Sequence, residues 1–293
     1  MMMRATPRPL VRALASPYIA GETRASAVAL ARTLFTDRGL SSTIDVLGED
    51  IKDRAEAERM LAEYLSILGD LDGIGHANIS VKLSALGQAI DPDLCARHLE
   101  TLLRRAATHG QFVRFDMEDH TTTDSTLELY RRFVGRYPLI GPVLQSRLHR
   151  TEQDVRDLAP HKPNVRLCIG IYNEPPEIGL VSKPEMKQRL LDLLEMMWTN
   201  GQYVAIATHD EAIIRKAMVL AGKMGKTPKD YEIQMLLGVP RARIQREILA
   251  KGVKVRLYVP YGEHWYQYCL RRLDGNPEMA RMVLGNLLSR RGA

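Results

Sequence analysis

Cysteine is scarce in this 293-residue chain: Cys95, Cys168 and Cys269 are odd in number and far apart. Such a set builds no disulfide framework and points to a reducing, cytoplasmic compartment. The eight histidines never occur as HxxxH or beside a metal-ligand cysteine, so no metal is expected. No run reaches the roughly 18 apolar residues of a membrane span. Aromatic residues make up only 6%, and the 41 Lys+Arg are dispersed among 35 Asp+Glu. Nucleic-acid binding therefore finds no motif and no basic arm. The net charge of +6 reads as a mildly basic surface, with attraction to an anionic membrane as the alternative. The GxSxG elbow and the GxxxxGK[ST] loop are both missing, which removes two common hydrolase and nucleotide chemistries.

What the chain does have is alternation of short strand-like runs with helical patterns. Strands are expected at 41–50, 78–86, 112–119, 140–148, 164–172, 203–210, 231–238 and 253–262. Helical spacing precedes the first of them, around Glu22 to Asp37. It returns in Met60, Leu61, Tyr64, Leu65 and Leu68, and in Leu94, Leu99, Leu102 and Leu103. A later helix is expected to start near Thr123 and Asp124, both good caps. Eight β-then-α units predict a (β/α)₈ TIM barrel. The competitor, a doubly wound open sheet, usually binds a dinucleotide through a glycine-rich turn after its first strand, and that turn is missing. No linker marks a second domain. The expected organisation is an N-terminal arm, 1–20, and a barrel, 21–293. The arm begins MMMRATPRPLVRALA, with arginines and no acidic residue, as in a transit peptide. It is expected to pack near the barrel.

Barrels of this kind keep their chemistry at the C-terminal ends of the strands. Those ends carry Glu49, Lys82, Asp116, Gln145, Arg166, Thr208, His209, Gln234 and Tyr258, where ordinary core strands carry Val or Leu. Buried without partners, each would cost about 1–3 kcal/mol, so they should pair with one another or with a ligand. Each has a plainer reading taken singly. Lys82 fits an ordinary alternating strand. Asp116, with Glu118 and Asp119, fits an acidic lead into a helix. Arg166 fits a structural pair with Asp116, and His209 fits a helix cap. A buried Lys82 would also suit a Schiff-base lyase.

The stretch RLYVPYGEHWYQYCLRR, 256–272, starts as a strand and breaks at Pro260 and Gly262. A helix is expected from Glu263, with Trp265, Tyr268, Arg271 and Arg272 on one face. Aromatic rings beside two guanidinium groups suit a small anion, although an arginine pair is more often a solvated face.

In chain order, IDVLGED (44–50), VKLSAL (81–86), DMED (116–119), LQSRLHRTEQD (144–154), VRLCIGIYNEP (165–175), IATHD (206–210), EIQMLLGV (232–239) and YVPYG with YCLRRL (258–273) resemble the motifs of the proline dehydrogenase family. The resemblance spans about residues 20 to 280. It implies a distorted barrel, closed by a C-terminal lid helix, that holds FAD. L-proline would be oxidised to Δ¹-pyrroline-5-carboxylate, with electrons passed to a membrane quinone and peripheral membrane contact. It implies catalytic roles for Lys82, Asp116 and Arg166. Arg271 and Arg272 would clamp the proline carboxylate, Tyr172, Tyr258 and Tyr268 would wall the ring, and Leu167 would lie beneath it. Arg166, Gln145, Cys168 and Gly170 would meet the flavin ring side. Ser182 and Lys183, at an expected helix N-terminus, would meet the pyrophosphate. Thr208 and His209 would reach the adenosine half and Gln234 the adenine, while Glu49 and Arg271 would form a gate. The family carries lysine where this chain has Ile169, which removes a polar contact from the flavin side. Arg147 stands where an aromatic residue is common, and Gly275 where an acidic one is. Oxidation of another cyclic amino acid, such as hydroxyproline, and a flavin-less amino-acid-binding barrel remain the alternatives.

Overall fold

Alternation of polar and apolar residues along eight segments, buried at nearly every position, produces eight parallel strands. The computed structural model describes residues 16–266, 268 and 269. The strands are β1 (Ser41–Val46), β2 (Ala77–Val81), β3 (Val113–Phe115), β4 (Ile140–Gln145), β5 (Asn164–Cys168), β6 (Tyr203–Ala207), β7 (Tyr231–Leu236) and β8 (Lys254–Tyr261). Each pairs with the next, and β8 returns to β1 over Ser41↔Arg256 to Val46↔Tyr261, closing the barrel. Helix α1 (Arg24–Arg38) precedes β1. After β1 to β7 come α2 (Arg54–Asp70), α3 (Pro92–Thr108), α4 (Thr123–Val134), α5 (Thr151–Leu158), α6 (Lys183–Thr199), α7 (Glu211–Lys223) and α8 (Ala242–Ala250).

Local chemistry sets the helix starts. Thr23, Asp53 and Asp210 each accept from backbone N–H groups of the turn they cap, which satisfies donors that a helix leaves orphaned. Helix α4 does begin at Thr123, but an Asp119-capped turn, His120–Thr122, leads into it. The expected helix from Glu263 starts later. Gly262, at φ 128, donates its N–H to Gly21 O at 3.1 Å, and helical backbone is reached at Trp265. The strands are also shorter than expected. β2 ends at Val81 because a tight turn, Leu83–Leu86, follows Lys82 and closes on Gly87 at φ 94.

The barrel is apolar on its outside and polar on its inside. Register places Ile44, Ile79, Val113 and Ile140 side by side, then Leu144, Leu167, Ile206, Ile233 and Val255. All belong to one core, shared with helix residues such as Tyr64, Leu102, Leu127, Trp198 and Ile248. Burying each such side chain is worth about 1.5–3 kcal/mol, so this shell holds the fold. The opposite face of the strands carries Thr43, Asp45, Ser80, Arg114, Arg166, Glu232, Gln234, Arg256 and Tyr258, nearly all buried. A usual barrel interior is filled by branched apolar residues. Polar groups replace them here, so they must satisfy one another.

Candidate active site

At the mouth, where the strands end, four charged groups and a phenol converge. Lys82 Nζ lies 2.8 Å from Asp45 Oδ1, and 3.5 Å from the Tyr258 hydroxyl. Tyr258 donates to Asp116 Oδ2 at 2.7 Å, and Arg166 Nη1 donates to Asp116 Oδ1. Arg166 also lies against the Tyr258 ring, 5.2 Å from its centroid. Strands β1, β5 and β8 and the residues just after β2 and β3 therefore meet at one point. Their side chains leave alternate positions of the strands, and the closed barrel makes those positions converge.

The electrostatics follow from burial and pairing. Burial raises the Asp45 carboxyl above the usual carboxylate range, and Lys82 pulls it only partly back. Burial works against a charged Lys82, yet Asp45, Tyr258 and Asp116 outweigh it and hold the amine protonated. Burial likewise opposes an ionised Asp116, but Arg166, then Lys82, brings it below its ordinary value. The two carboxylates offset the two cations. Any strong push against a cationic ligand must therefore come from beyond these four groups. A protonated, ion-paired Lys82 lacks the free amine that a Schiff base needs, so the lyase alternative loses its nucleophile.

Half-buried Tyr172 has its hydroxyl pushed up, first by burial and then by Glu49 and Glu118. Gln145 Nε2 donates to Glu118 O at 2.9 Å. Gly170 has φ 103, and a Cβ there would sit 2.3 Å from Gln145 Oε1, so only glycine fits. Cys168 ends β5 on the Arg166 side. Ser182 is the N-cap of α6 and Lys183 its first residue, with no side-chain cap bond made. Thr208 Oγ1 accepts from Asp210 N at 3.2 Å, and His209 Nε2 accepts from Leu236 N at 2.7 Å. Tyr268 packs with Leu47, Trp265 and Cys269, against Ile19 and Tyr266. Arg271 and Arg272 lie outside the described residues, and so does the rest of the expected lid helix and the partner expected for Glu49.

Two expected placements need correction. Leu167 is fully buried and, being one residue from the inward Arg166, points to the helix layer, so it cannot lie beneath a ligand in the mouth. Gln234 does not extend toward the rim: its amide accepts from Arg166 Nε at 2.6 Å and donates to Glu232 Oε1 at 2.6 Å. Ile169, the departure noted above, packs against the main core, an environment that would not suit a lysine ammonium.

Some participants escaped the sequence reading. Asp45 holds Lys82 yet sits inside a motif from which only Glu49 was singled out; its polarity in a wholly buried strand, SSTIDV, was the available signal. Glu174 is another. Its carboxylate accepts from His120 N at 3.0 Å and contacts His120 Nδ1, tying the loop after β5 to the loop after β3. The segment before α1 is a third. Ala20 N donates to Pro260 O at 2.8 Å, and a Cβ on Gly238 would meet Pro17 O, so residues 17–21 run along the rim at β7 and β8.

The fit to a large cofactor can be tested on one atom. Arg166 Nη2 is buried and has no hydrogen-bond partner among the described residues, and it belongs to a group whose other donors are all engaged. A buried donor left unmade costs about 1–3 kcal/mol, so it suits a ligand acceptor at the mouth. Backbone N–H groups at the start of α6 and the rim residues from β4 to β6 offer further donors. The residues present fit a flavin.

Buried, mutually paired charges at a barrel mouth define an enzyme-like site, and comparison with known proteins gives its family. The family model described as proline dehydrogenase matches residues 30–168 and 185–283. A proline dehydrogenase of Deinococcus radiodurans is 35% identical over 283 residues, covering 94% of this chain and 90% of its own. Proline dehydrogenase 2 of Bacillus subtilis is 33% identical, covering 91% and 88%. Among solved structures, proline utilization A from Bdellovibrio bacteriovorus, inactivated by N-propargylglycine, superposes with a TM-score of 0.83 at 23% identity, over 91% of this chain. The Corynebacterium freiburgense protein of that name gives 0.76 at 22%, over 93%. This chain spans 33% and 32% of those two solved chains, and at such identity they support the fold alone. The chain belongs to the proline dehydrogenase family.

Proposed function

We propose that this protein oxidises L-proline to Δ¹-pyrroline-5-carboxylate, with FAD at the barrel mouth and a quinone as the electron acceptor. The observation that carries the reading is the Arg166 guanidinium, locked on Asp116 and Gln234 with Nη2 left over at the mouth. Bound FAD would supply the hydride acceptor. Arg166 offers its remaining N–H, and its positive charge, to that ring. Gln145, Cys168 and Gly170 form the adjoining wall. Ser182 and Lys183 would meet the pyrophosphate, and Thr208 and His209 the adenosine half.

On the substrate side, Lys82 and Asp116 line the floor of the mouth, with Tyr172, Tyr258 and Tyr268 around the ring. Arg271 and Arg272 would hold the carboxylate bidentately, and Glu49 would pair with Arg271 as a gate. Hydride leaves the carbon beside nitrogen only when the amine is neutral, so the chain must take its proton. Asp45 is suited to this. Burial raises its pKa, and Oδ2 has no partner among the described residues.

A quinone lies in a membrane, which fits a cytoplasmic protein in peripheral contact. Among the described residues no helix is long and apolar enough to cross a membrane. Ile171 and Val181, exposed on the loop after β5, give apolar contacts on the mouth side. The visible spectrum of the purified protein tests the whole reading. It should show oxidised flavin that bleaches when proline is added without oxygen. Colourless protein that cannot be reconstituted with FAD would overturn it.

A further inference from the structure

Gln234 was expected at the adenine, yet both ends of its amide are spent inside the barrel. The acceptor end takes Arg166 Nε at 2.6 Å, and the donor end reaches Glu232 Oε1 at 2.6 Å. The reverse orientation would set an NH₂ against a guanidinium and a carbonyl against a carboxylate, so only one is satisfied. Glu232 cannot yield. Burial opposes its charge, but Arg256, the hydrogen bond from Gln234 and Lys254 together outweigh burial and hold the carboxyl down at about 2, ionised at any working pH. Arg256 Nε donates to the same oxygen at 2.8 Å, and its Nη1 donates to Ser42 O at 2.7 Å, so the chain of bonds ends on the sheet backbone.

The consequence lies at the other end. Arg166 gives Nε to Gln234, and Nη1 to Asp116 and, at 3.3 Å, to Ser80. A planar guanidinium held on two edges cannot turn, and its third edge, Nη2, is thereby aimed. We infer that Gln234 is a positioning residue: it transmits the backbone-anchored Glu232 to Arg166 and so fixes the direction in which Arg166 presents Nη2 to the flavin. The inference rests on the flavin reading above, in which the Arg166 charge stabilises electron density gained by the ring. A guanidinium free to swing stabilises it less.

Two variants test this on the FAD-loaded protein, read by the flavin midpoint potential. Gln234→Met removes the amide without adding charge. The potential should fall by about 30 mV or more, a tenfold weaker preference for the reduced form of a two-electron couple. Gln234→Glu keeps the shape. Protonated, it accepts from Arg166 and donates to Glu232 as glutamine does, so at low pH the potential should match wild type. Arg166 from β5 and Glu232 on its own strand touch Gln234, and one bond further out lie Arg256 from β8 and Tyr203 from β6 on Glu232 and Asp116 beyond β3 on Arg166. As pH rises, the new carboxyl ionises against Arg166 and the potential should fall in a step that wild type lacks.

Wild-type potentials in both variants across pH, with only thermal stability lowered, would overturn the inference and leave Gln234 a structural residue. A second measurement needs no flavin. In ¹⁵N-labelled protein the Arg166 Nε–H signal, assigned by its loss in Arg166→Lys, should exchange slowly in wild type and rapidly in Gln234→Met. Colourless wild type with this contrast intact would sink the flavin reading but not the lock, whereas equal exchange in both proteins would sink the lock.

Discussion

The floor and the mouth of the barrel are built from the same residue types and wired differently. At the floor, Arg114 donates to Pro142 O at 3.1 Å and to Asn164 O, and Arg256 donates to Ser42 O at 2.7 Å. These cations bond to backbone carbonyls of neighbouring strands. At the mouth, the ammonium of Lys82 and the guanidinium of Arg166 bond, among the described residues, only to side chains: Asp45, Tyr258, Asp116, Ser80 and Gln234. A cation tied to the sheet cannot move without breaking the barrel. Lys82, held by one carboxylate and a long contact to a phenol, can exchange partners when a ligand arrives, whereas Arg166 keeps its direction through Gln234 and Asp116 and offers Nη2. The difference teaches which buried charges hold the structure and which act on a ligand, although all are nearly inaccessible.

The largest expected effect breaks the floor. Arg256→Met leaves buried Glu232 with only the half-exposed Lys254, 3.8 Å from Oε2, and should cost about 3–5 kcal/mol in a denaturant titration. A loss below about 1 kcal/mol would erase the distinction. Lys82→Met probes the mouth and should invert the pattern. Asp45, already poised to take a proton, does so, and stability should fall by only about 1–2 kcal/mol. Reduction by proline should slow on the order of 100-fold in stopped flow. A variant as unstable as Arg256→Met would make Lys82 a structural group.

Acid should weaken the floor. The folded Glu232 carboxyl lies at about 2 against an ordinary value of 4.5. Its contribution is therefore fully present above about pH 4.5 and is lost as pH falls toward about 2. Denaturation midpoints at pH 5 and pH 3 should differ in wild type, and less so in Arg256→Met. Equal differences in the two proteins would assign the acid limb to other carboxylates. The smallest effect is at the rim. Ile169→Lys exchanges core packing for an ammonium and should cost roughly 1 kcal/mol or more. FAD occupancy after purification should be unchanged or lower, and a clear rise would show that the missing lysine had weakened the flavin contact.

How much of this was legible varies residue by residue. Lys82, Asp116, Arg166 and Tyr258 stood out because a charge or phenol at a strand end is costly unless paired, and they do meet. Asp45 was passed over because it lies one strand position inside the end, among residues that read as an ordinary β1. Leu167 was assigned to the ligand by its neighbourhood in a motif, when strand alternation already opposed it to Arg166. Gln234 could not be placed at all without its partner. Glu232 is two residues away on the same face, but Arg166 is 68 residues away in sequence.

The sequence by itself determined the number of strands, their order and the polar positions along them. Those depend on local periodicity, which a chain carries wherever it folds. Only the tertiary structure decided which polar groups are partners. The closed barrel brings β1 beside β8 and sets β5 across from β2, and no local pattern encodes contacts across a ring. Closure is also what gives Lys82 its counter-ion, Gln234 its task and Arg166 its direction.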